Sequence, residues 1–297
     1  LRIDAHQHFW DLARCRYDWL RADLGVLHAN HGPLDLAPLL AERDIAGTFL
    51  VQASDTLEET HFLLELARAH AFVLGVVGWV PLDDPDIATL LRGLARESAF
   101  VGVRPMLQDL ADERWILRRD VARGLDAVEA EGLVFDALVK AEQFESVVEL
   151  ARARPRLAVV LDHAAKPNIA AGTAWNGRRE WRRRITDLAA CENTSVKLSG
   201  LVTEAEPHWR TSDLMPVFDV LLENFGPRRI LWGSDWPVVR LAGDYARWWD
   251  ATQELLAPLS ADERELILGG NARQVYARRA TAPHARSHDA EHELPAR

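Results

Sequence analysis

The sequence predicts an α/β fold: a (β/α)8 TIM barrel in a single domain. Three observations carry this. Eight short β-rich runs recur along the chain. Most are near-continuous apolar stretches, the pattern of parallel strands buried on both faces. The spacers between them are long enough for crossover connections, and eight strand–helix units in succession mark such a barrel. A doubly wound open sheet would favour a glycine-rich phosphate turn after the first strand. Neither that turn nor a Walker motif is present.

The first run is residues 2–8 (RIDAHQH), where His6 and His8 alternate with Gln7 and so point the same way. Loop 11–33 follows. It is too long for a simple connection and is expected to fold over one barrel end. The second run is 48–53 (TFLVQA), and the helical pattern 58–70 puts Phe62, Leu63 and Leu66 on one face. Runs 73–80 (VLGVVGWV), 101–106 (VGVRPM) and 134–139 (VFDALV) come next. Pattern 143–152 then aligns Phe144, Val147, Val148 and Ala151. Runs 158–164 (AVVLDHA), 195–200 (SVKLSG) and 230–235 (ILWGSD) complete the eight, with a helical pattern at 213–225. A last helix is expected over 260–276, opened by a Ser260–Glu263 capping box. Residues 280–297 have no apolar period and read as a disordered tail, its His284, His288 and His292 solvated. The barrel therefore takes residues 1–279.

At 297 residues the chain has room for two domains or for one large barrel. The formal charge of -10 offers no overall field for nucleic acid or an anionic membrane. The longest apolar run, 72–80, is far short of the ~20 residues of a spanning helix. No basic-then-apolar leader starts the chain. Two cysteines, Cys15 and Cys191, are too few for a disulfide framework and lack zinc spacing. The expectation is a cytoplasmic protein with a small-molecule partner, no nucleic acid and no membrane, its oligomeric state open.

Polar residues on buried strands mark a site, because each costs several kcal/mol unless paired. They gather toward the C-terminal strand ends, where barrel active sites are built: His6 and His8, Gln52, Arg104, Lys140, Asp162 and His163, Lys197 and Ser199, and Asp235. Each has a plainer reading. His6, His8 and His163 are otherwise hydrogen-bonded core or loop histidines. Asp235 is otherwise a helix N-cap, though Pro237 and Val238 make a helix start there unconvincing. Lys140 and Lys197 serve equally well as salt-bridge partners of Asp4 or Asp136. Arg104 needs an anionic or carbonyl partner, which favours substrate. Trp10, Trp79 and Trp236 sit at or just past strand ends, where aromatic faces suit a sugar ring. Trp19 is placed to close over the mouth, whereas Trp181, Trp248 and Trp249 read as helix packing.

Taken in order, DAHQHFW (4–10), LDHAAKP (161–167), KLSGLVTEA (197–205) and GSDWP (233–237) resemble the amidohydrolase superfamily. More narrowly they resemble its sugar-lactonase branch, which includes L-fuconolactonase, L-rhamnono-1,4-lactonase and 2-pyrone-4,6-dicarboxylate lactonase. Segments 197–205 and 233–237 are most similar to L-fuconolactonase. The resemblance implies hydrolysis of a cyclic ester, with His6, His8 and His163 around the lactone carbonyl and Asp235 activating water. It also implies a possible divalent metal such as zinc on His6, His8 and Asp235. The set is ligand-poor, however. Arg104 stands where binuclear members carry a carboxylated Lys or a Glu, and the fifth strand ends in Lys140 rather than His. No required cofactor is therefore expected.

The expected substrate is a neutral sugar-acid lactone, an L-fuconolactone-like aldonolactone, contacted by Arg104, Gln52, Lys140, Trp10, Trp79 and Trp236. A dicarboxylate would ask for several arginines at the mouth, and only Arg104 ends a strand. The alternatives are a metal-dependent decarboxylase or amide hydrolase on the same barrel, a lactonase for a carboxylated lactone of pyrone-dicarboxylate or muconolactone type, or a carbohydrate-binding barrel without chemistry.

Overall fold

The computed structural model describes residues 1–277. The expected tail, residues 280–297 with its three histidines, lies outside the described residues.

Eight parallel strands pair in sequence order: β1 (Arg2–Gln7), β2 (Ile45–Val51), β3 (Val73–Gly78), β4 (Phe100–Val103), β5 (Val134–Ala137), β6 (Val159–Leu161), β7 (Thr194–Leu198) and β8 (Ile230–Trp232). Eight helices follow the strands: α1 (Pro33–Ala41), α2 (Leu57–Ala69), α3 (Ile87–Leu94), α4 (Arg119–Ala130), α5 (Ala141–Ala153), α6 (Arg178–Ala189), α7 (Thr211–Phe225) and α8 (Tyr245–Leu256). This is the expected (β/α)8 barrel. It closes just past β8, where Asp235 N donates to His6 O at 2.8 Å and His8 N donates to Trp236 O at 2.7 Å. Four of the expected site residues thus lie at the seam itself.

All eight expected strands are present, but each ends earlier than its apolar run. His8, Gln52, Arg104, His163 and Asp235 all lie beyond the last paired residue. The reason is their chemistry. These residues leave the ladder so that their side chains meet over the barrel mouth rather than between neighbouring strands.

Two apolar layers hold the barrel. Ile3, Ala5, Phe49, Val51, Val77, Val101, Val134, Val160 and Leu231 fill the inside, with Tyr276 beneath them. A larger shell lies between strands and helices and includes Phe62, Leu63, Phe144, Val147 and Val148, as their helical spacing predicts. A bulge in β1 breaks simple alternation, since the register against β2 shifts between Asp4 and Gln7. Asp4 consequently faces outward. It accepts hydrogen bonds from Ser234 N at 2.8 Å and from the α8 phenol Tyr245 at 3.0 Å.

The helix expected over 260–276 is interrupted. The Ser260–Glu263 capping box opens α9 (Ala261–Glu265), a π-helical turn spans Leu266–Gly270, and α10 (Asn271–Tyr276) resumes. Gly269 makes the break by passing under the start of β1. A Cβ there would lie 2.2 Å from Leu1 O. The turn lets α10 swing beneath the barrel, where Asn271 Nδ2 donates to Pro227 O at 2.8 Å and Ile230 O at 2.7 Å.

Loop 11–33 folds over the C-terminal mouth as expected. It pairs with strand-end segments through Trp10 N to His31 O at 2.9 Å, Ser54 Oγ to Arg16 O at 2.7 Å and Trp19 Nε1 to Ala53 O at 2.7 Å.

Candidate active site at the barrel mouth

The four residues of the expected core converge. Asp235 Oδ1 lies 3.3 Å from His8 Nε2, 3.7 Å from His6 Nε2 and 3.8 Å from His163 Nε2. All four are buried. Asp235 itself adopts a positive φ of 57°, an uncommon conformation for a residue with a Cβ. That conformation lets its amide close the seam to β1 while its carboxylate faces the imidazoles.

Proton positions follow from the partners. His8 Nδ1 lies 2.8 Å from the Val51 carbonyl, so Nδ1 carries the proton and Nε2 keeps a lone pair in the neutral ring. Neutral His8 therefore offers no N–H to a carbonyl oxygen, against the expectation of three donating imidazoles. His163 Nδ1 lies 2.9 Å from Ser199 Oγ. Burial lowers the His163 imidazole to about 4, so it is neutral at neutral pH. Burial alone would raise the Asp235 carboxyl. His163, His8 and His6 outweigh burial and hold it below the usual carboxylate range, which leaves it ionised.

Arg104 points into the same mouth. Its Nη1 donates to Asp162 Oδ2 at 3.1 Å and lies 3.4 Å from His6 Nε2. Gln52 braces it: Gln52 Nε2 donates to Arg104 O at 2.6 Å, and Gln52 O accepts from Arg104 Nη2. Beneath them runs a buried polar column. Tyr276 donates to Asp136, and Lys197 Nζ bridges Asp136 at 2.5 Å, Asp162 at 3.0 Å and His6 Nδ1 at 2.9 Å. Lys197 is thus a structural cation, paired with Asp136 as one reading allowed. Asp4 is out of its reach because of the β1 bulge.

A cavity of about 170 Å³ opens over this cluster. His8, Arg104, His163 and Asp235 line it, together with Trp19 from the first loop. Several expected contacts do not. Gln52 is spent on Arg104, and Lys140 is exposed at the start of α5. Trp10 is buried under the first loop, with its indole N–H on Ala29 O at 2.8 Å. Trp236 packs edge-on against Phe9 and His31. The backbone of Trp79 is held by Thr60 away from the cavity lining. The loop that supplies Trp19 covers the strand-end Trp10 and Trp236. Trp181 and Trp248 are buried on helices, as expected.

Sequence reasoning missed Gln108, Asp109, Lys166 and Thr203, which also line the cavity. None lies on a strand, so periodicity carried no signal. The Lys-Pro pair at 166–167, directly after Asp162 and His163, was the available cue.

The site has a face suited to a divalent cation. His6 Nε2 and His8 Nε2 lie 3.2 Å apart, and their distances to Asp235 Oδ1 are 3.7 and 3.3 Å. The edge of a zinc tetrahedron with ligands near 2.0–2.1 Å is roughly 3.3 Å. His8 also has the Nδ1–H···O=C bond typical of a metal-bound imidazole. His6 is the exception, with Arg104 beside one ring nitrogen and Lys197 beside the other.

Comparison with known proteins adds an independent line. The amidohydrolase family model matches residues 3–278. A protein of Burkholderia ambifaria named L-fucono-1,5-lactonase is 43% identical over 93% of this chain and 95% of its own. One of the same name from Burkholderia multivorans is 38% identical over 93% and 96%. A crystal structure of an amidohydrolase from Burkholderia multivorans with bound HEPES superposes with a TM-score of 0.88, at 38% identity over 93% of this chain and 99% of that one. A second crystal form with bound zinc gives 0.87.

Proposed function

The chain belongs to the amidohydrolase family, and from this membership and the mouth geometry we propose that it opens an L-fuconolactone-like aldonolactone to the aldonic acid. It is a hydrolase acting on lactones, a carboxylic-ester hydrolase. The observation that carries the finer reading is an ionised, buried carboxylate, Asp235, ringed by three imidazoles in a cavity of about 170 Å³. That volume is below the ~300–1,000 Å³ of drug-sized sites and suits a single sugar-sized ring.

Asp235 takes a proton from water as it attacks the lactone carbonyl. The lone pair of His8 Nε2, 3.3 Å from Asp235 Oδ1, accepts the second water hydrogen and fixes the nucleophile. His163, through an Nε2–H set by Ser199 donating to Nδ1, and Arg104 face the oxygen on which negative charge develops. One preorganised donor of this kind contributes about 3–4 kcal/mol to the transition state. The ring C–O bond then breaks, and the leaving alkoxide recovers the proton from Asp235. Charge and protons balance: one water is consumed and one acid and one alcohol form.

His6, His8 and Asp235 are the residues that would hold a divalent cation. Bound there, it would polarise water or the carbonyl as a Lewis acid. We favour chemistry that does not require it, because two fixed cations flank His6 and the chain's own groups account for each proton.

The test is Asp235→Asn assayed on aldonolactones by acid release. Turnover should fall by a factor on the order of 1,000 or more, with substrate binding kept. A near-normal kcat would remove Asp235 from its role. Failure of the wild type to open any aldonolactone would return the decarboxylase or amide-hydrolase alternatives.

A further inference from the structure

Two polar groups in the cavity have no work in the reaction as derived. Lys166 lies three residues past His163 and lines the same cavity as Asp235. It is only partly exposed. Among the described residues its ammonium makes no hydrogen bond, and no carboxylate lies within ion-pair distance. Its backbone is unusual: His163, Ala164, Ala165 and Lys166 have φ of 51°, 51°, 58° and 52°. Four successive left-handed residues, none glycine, cost about 1–2 kcal/mol each. Such strain persists where the surroundings over-determine it, which is common at ligand sites. The turn carries His163 and Lys166 into the mouth together. Across the cavity, Gln108 comes from the segment after β4. Its Nε2 donates to Asp109 Oδ2 at 3.3 Å, while its Oε1 is buried with no partner. A buried acceptor left unpaired is unfavourable unless a ligand completes it.

We infer that Lys166 and Gln108 read the hydroxyl groups of the substrate ring and set the preference for a polyhydroxylated lactone over an unsubstituted one. The argument is one of complementarity. An ammonium only donates, an amide oxygen only accepts, and a sugar hydroxyl does both. A ring bearing hydroxyls satisfies both groups. A bare ring leaves an ammonium and a carbonyl oxygen dehydrated and unpaired, the situation in which sites reject analogues lacking a hydroxyl most strongly. Arg104 is not available for this task, because its guanidinium is held by Asp162 and Gln52. This inference rests on the lactonase reading above and adds to it the groups that choose the substrate.

The experiment compares kcat/KM on a six-carbon 1,5-aldonolactone with kcat/KM on δ-valerolactone, for the wild type, Lys166→Met, Lys166→Arg and Gln108→Leu. Lys166→Met should lower the ratio of the two by about 10–100-fold, carried mainly by KM on the hydroxylated ring. Gln108→Leu should lower it by about 3–10-fold. Lys166→Arg, which keeps a donor, should recover part of the ratio. Equal losses on both lactones would show a structural or catalytic role and overturn the inference. So would an unchanged ratio. A wild type that opens δ-valerolactone as well as the aldonolactone overturns this inference but keeps the lactonase. A wild type that opens no lactone overturns both, and a preference for a carboxylated lactone would instead make Lys166 an anion anchor.

Discussion

His6 lies between two cations, with Lys197 Nζ 2.9 Å from its Nδ1 and Arg104 Nη1 3.4 Å from its Nε2. A lysine ammonium donates, so Nδ1 accepts and the proton of the neutral ring moves to Nε2, the atom a metal would need. The same nitrogen then faces the His8 Nε2 lone pair at 3.2 Å. Dialysis against a chelator should therefore leave most lactone hydrolysis intact, with metal far below one equivalent by elemental analysis. Complete loss restored by zinc would show that the metal displaces this proton. His6, His8, His163, Asp235 and Arg104 were legible in the sequence for one physical reason: a polar side chain in a buried apolar run demands a partner. Lys166 and Gln108 were not. A lysine or glutamine in a loop is ordinary, and only the fold shows that these two turn inward. The strand-end tryptophans were misleading because nothing in the sequence tells which face of an indole a long loop will cover.

Positions beyond the strand ends depend on short segments that periodicity does not describe. The left-handed turn of His163 to Lys166 packs against Gly200, whose own φ is +64°. A Cβ on Gly200 would lie 2.5 Å from His163 Nδ1 and 2.6 Å from its Cγ. That is far inside contact distance, and the imidazole is held on the same side by Ser199. Gly200→Ala should therefore act twice. The left-handed backbone costs roughly 1–2 kcal/mol of stability, read by urea denaturation. The displaced imidazole lowers kcat by up to roughly 100-fold, the penalty of about 1 Å of misplacement. A stability loss with kcat intact would mean that His163 has room to yield and that its position is not critical. The break in the expected last helix belongs to the same scale. Ser260 and Glu263 announce where α9 begins, but the passage of Gly269 under Leu1 is a tertiary demand.

The barrel as a whole was legible because eight buried strands and their amphipathic spacers repeat one pattern around the molecule. Its buried charges were not, since pairing across the barrel joins residues far apart in sequence, such as Asp136, Lys197 and Tyr276. These charges make stability depend on pH in a way that can be worked out. Burial raises Asp4 and Asp136 to about 6, so folding holds protons the unfolded chain releases above about 4, and stability falls as pH rises through 6. His163, lowered by burial to about 4, acts oppositely, adding stability as pH rises from 4 toward 6.5. Above that window these three are spent. Glu59 is not. Burial raises it to about 8, against the hydrogen bonds from Ser54 N and Ala53 N and the field of Arg104. Cys15 and the Tyr17 phenol are its other titratable neighbours, and both are neutral in this range, raised by burial. The folded protein keeps the Glu59 proton, so stability is fully present below the ordinary value of 4.5 and is lost as pH climbs through 8. One proton contributes at most about 1.4 kcal/mol per pH unit, or about 2 kcal/mol from pH ~6.5 to ~8. Glu59→Gln keeps an acceptor for the Ala53–Ser54 amides and removes the titration. Its Tm relative to the wild type should rise across that interval by a few degrees, at about 2–4 °C per kcal/mol. Subtracting the two curves cancels every other group. A constant difference from pH 6.5 to 8 would mean that the amide donors, rather than burial, govern Glu59.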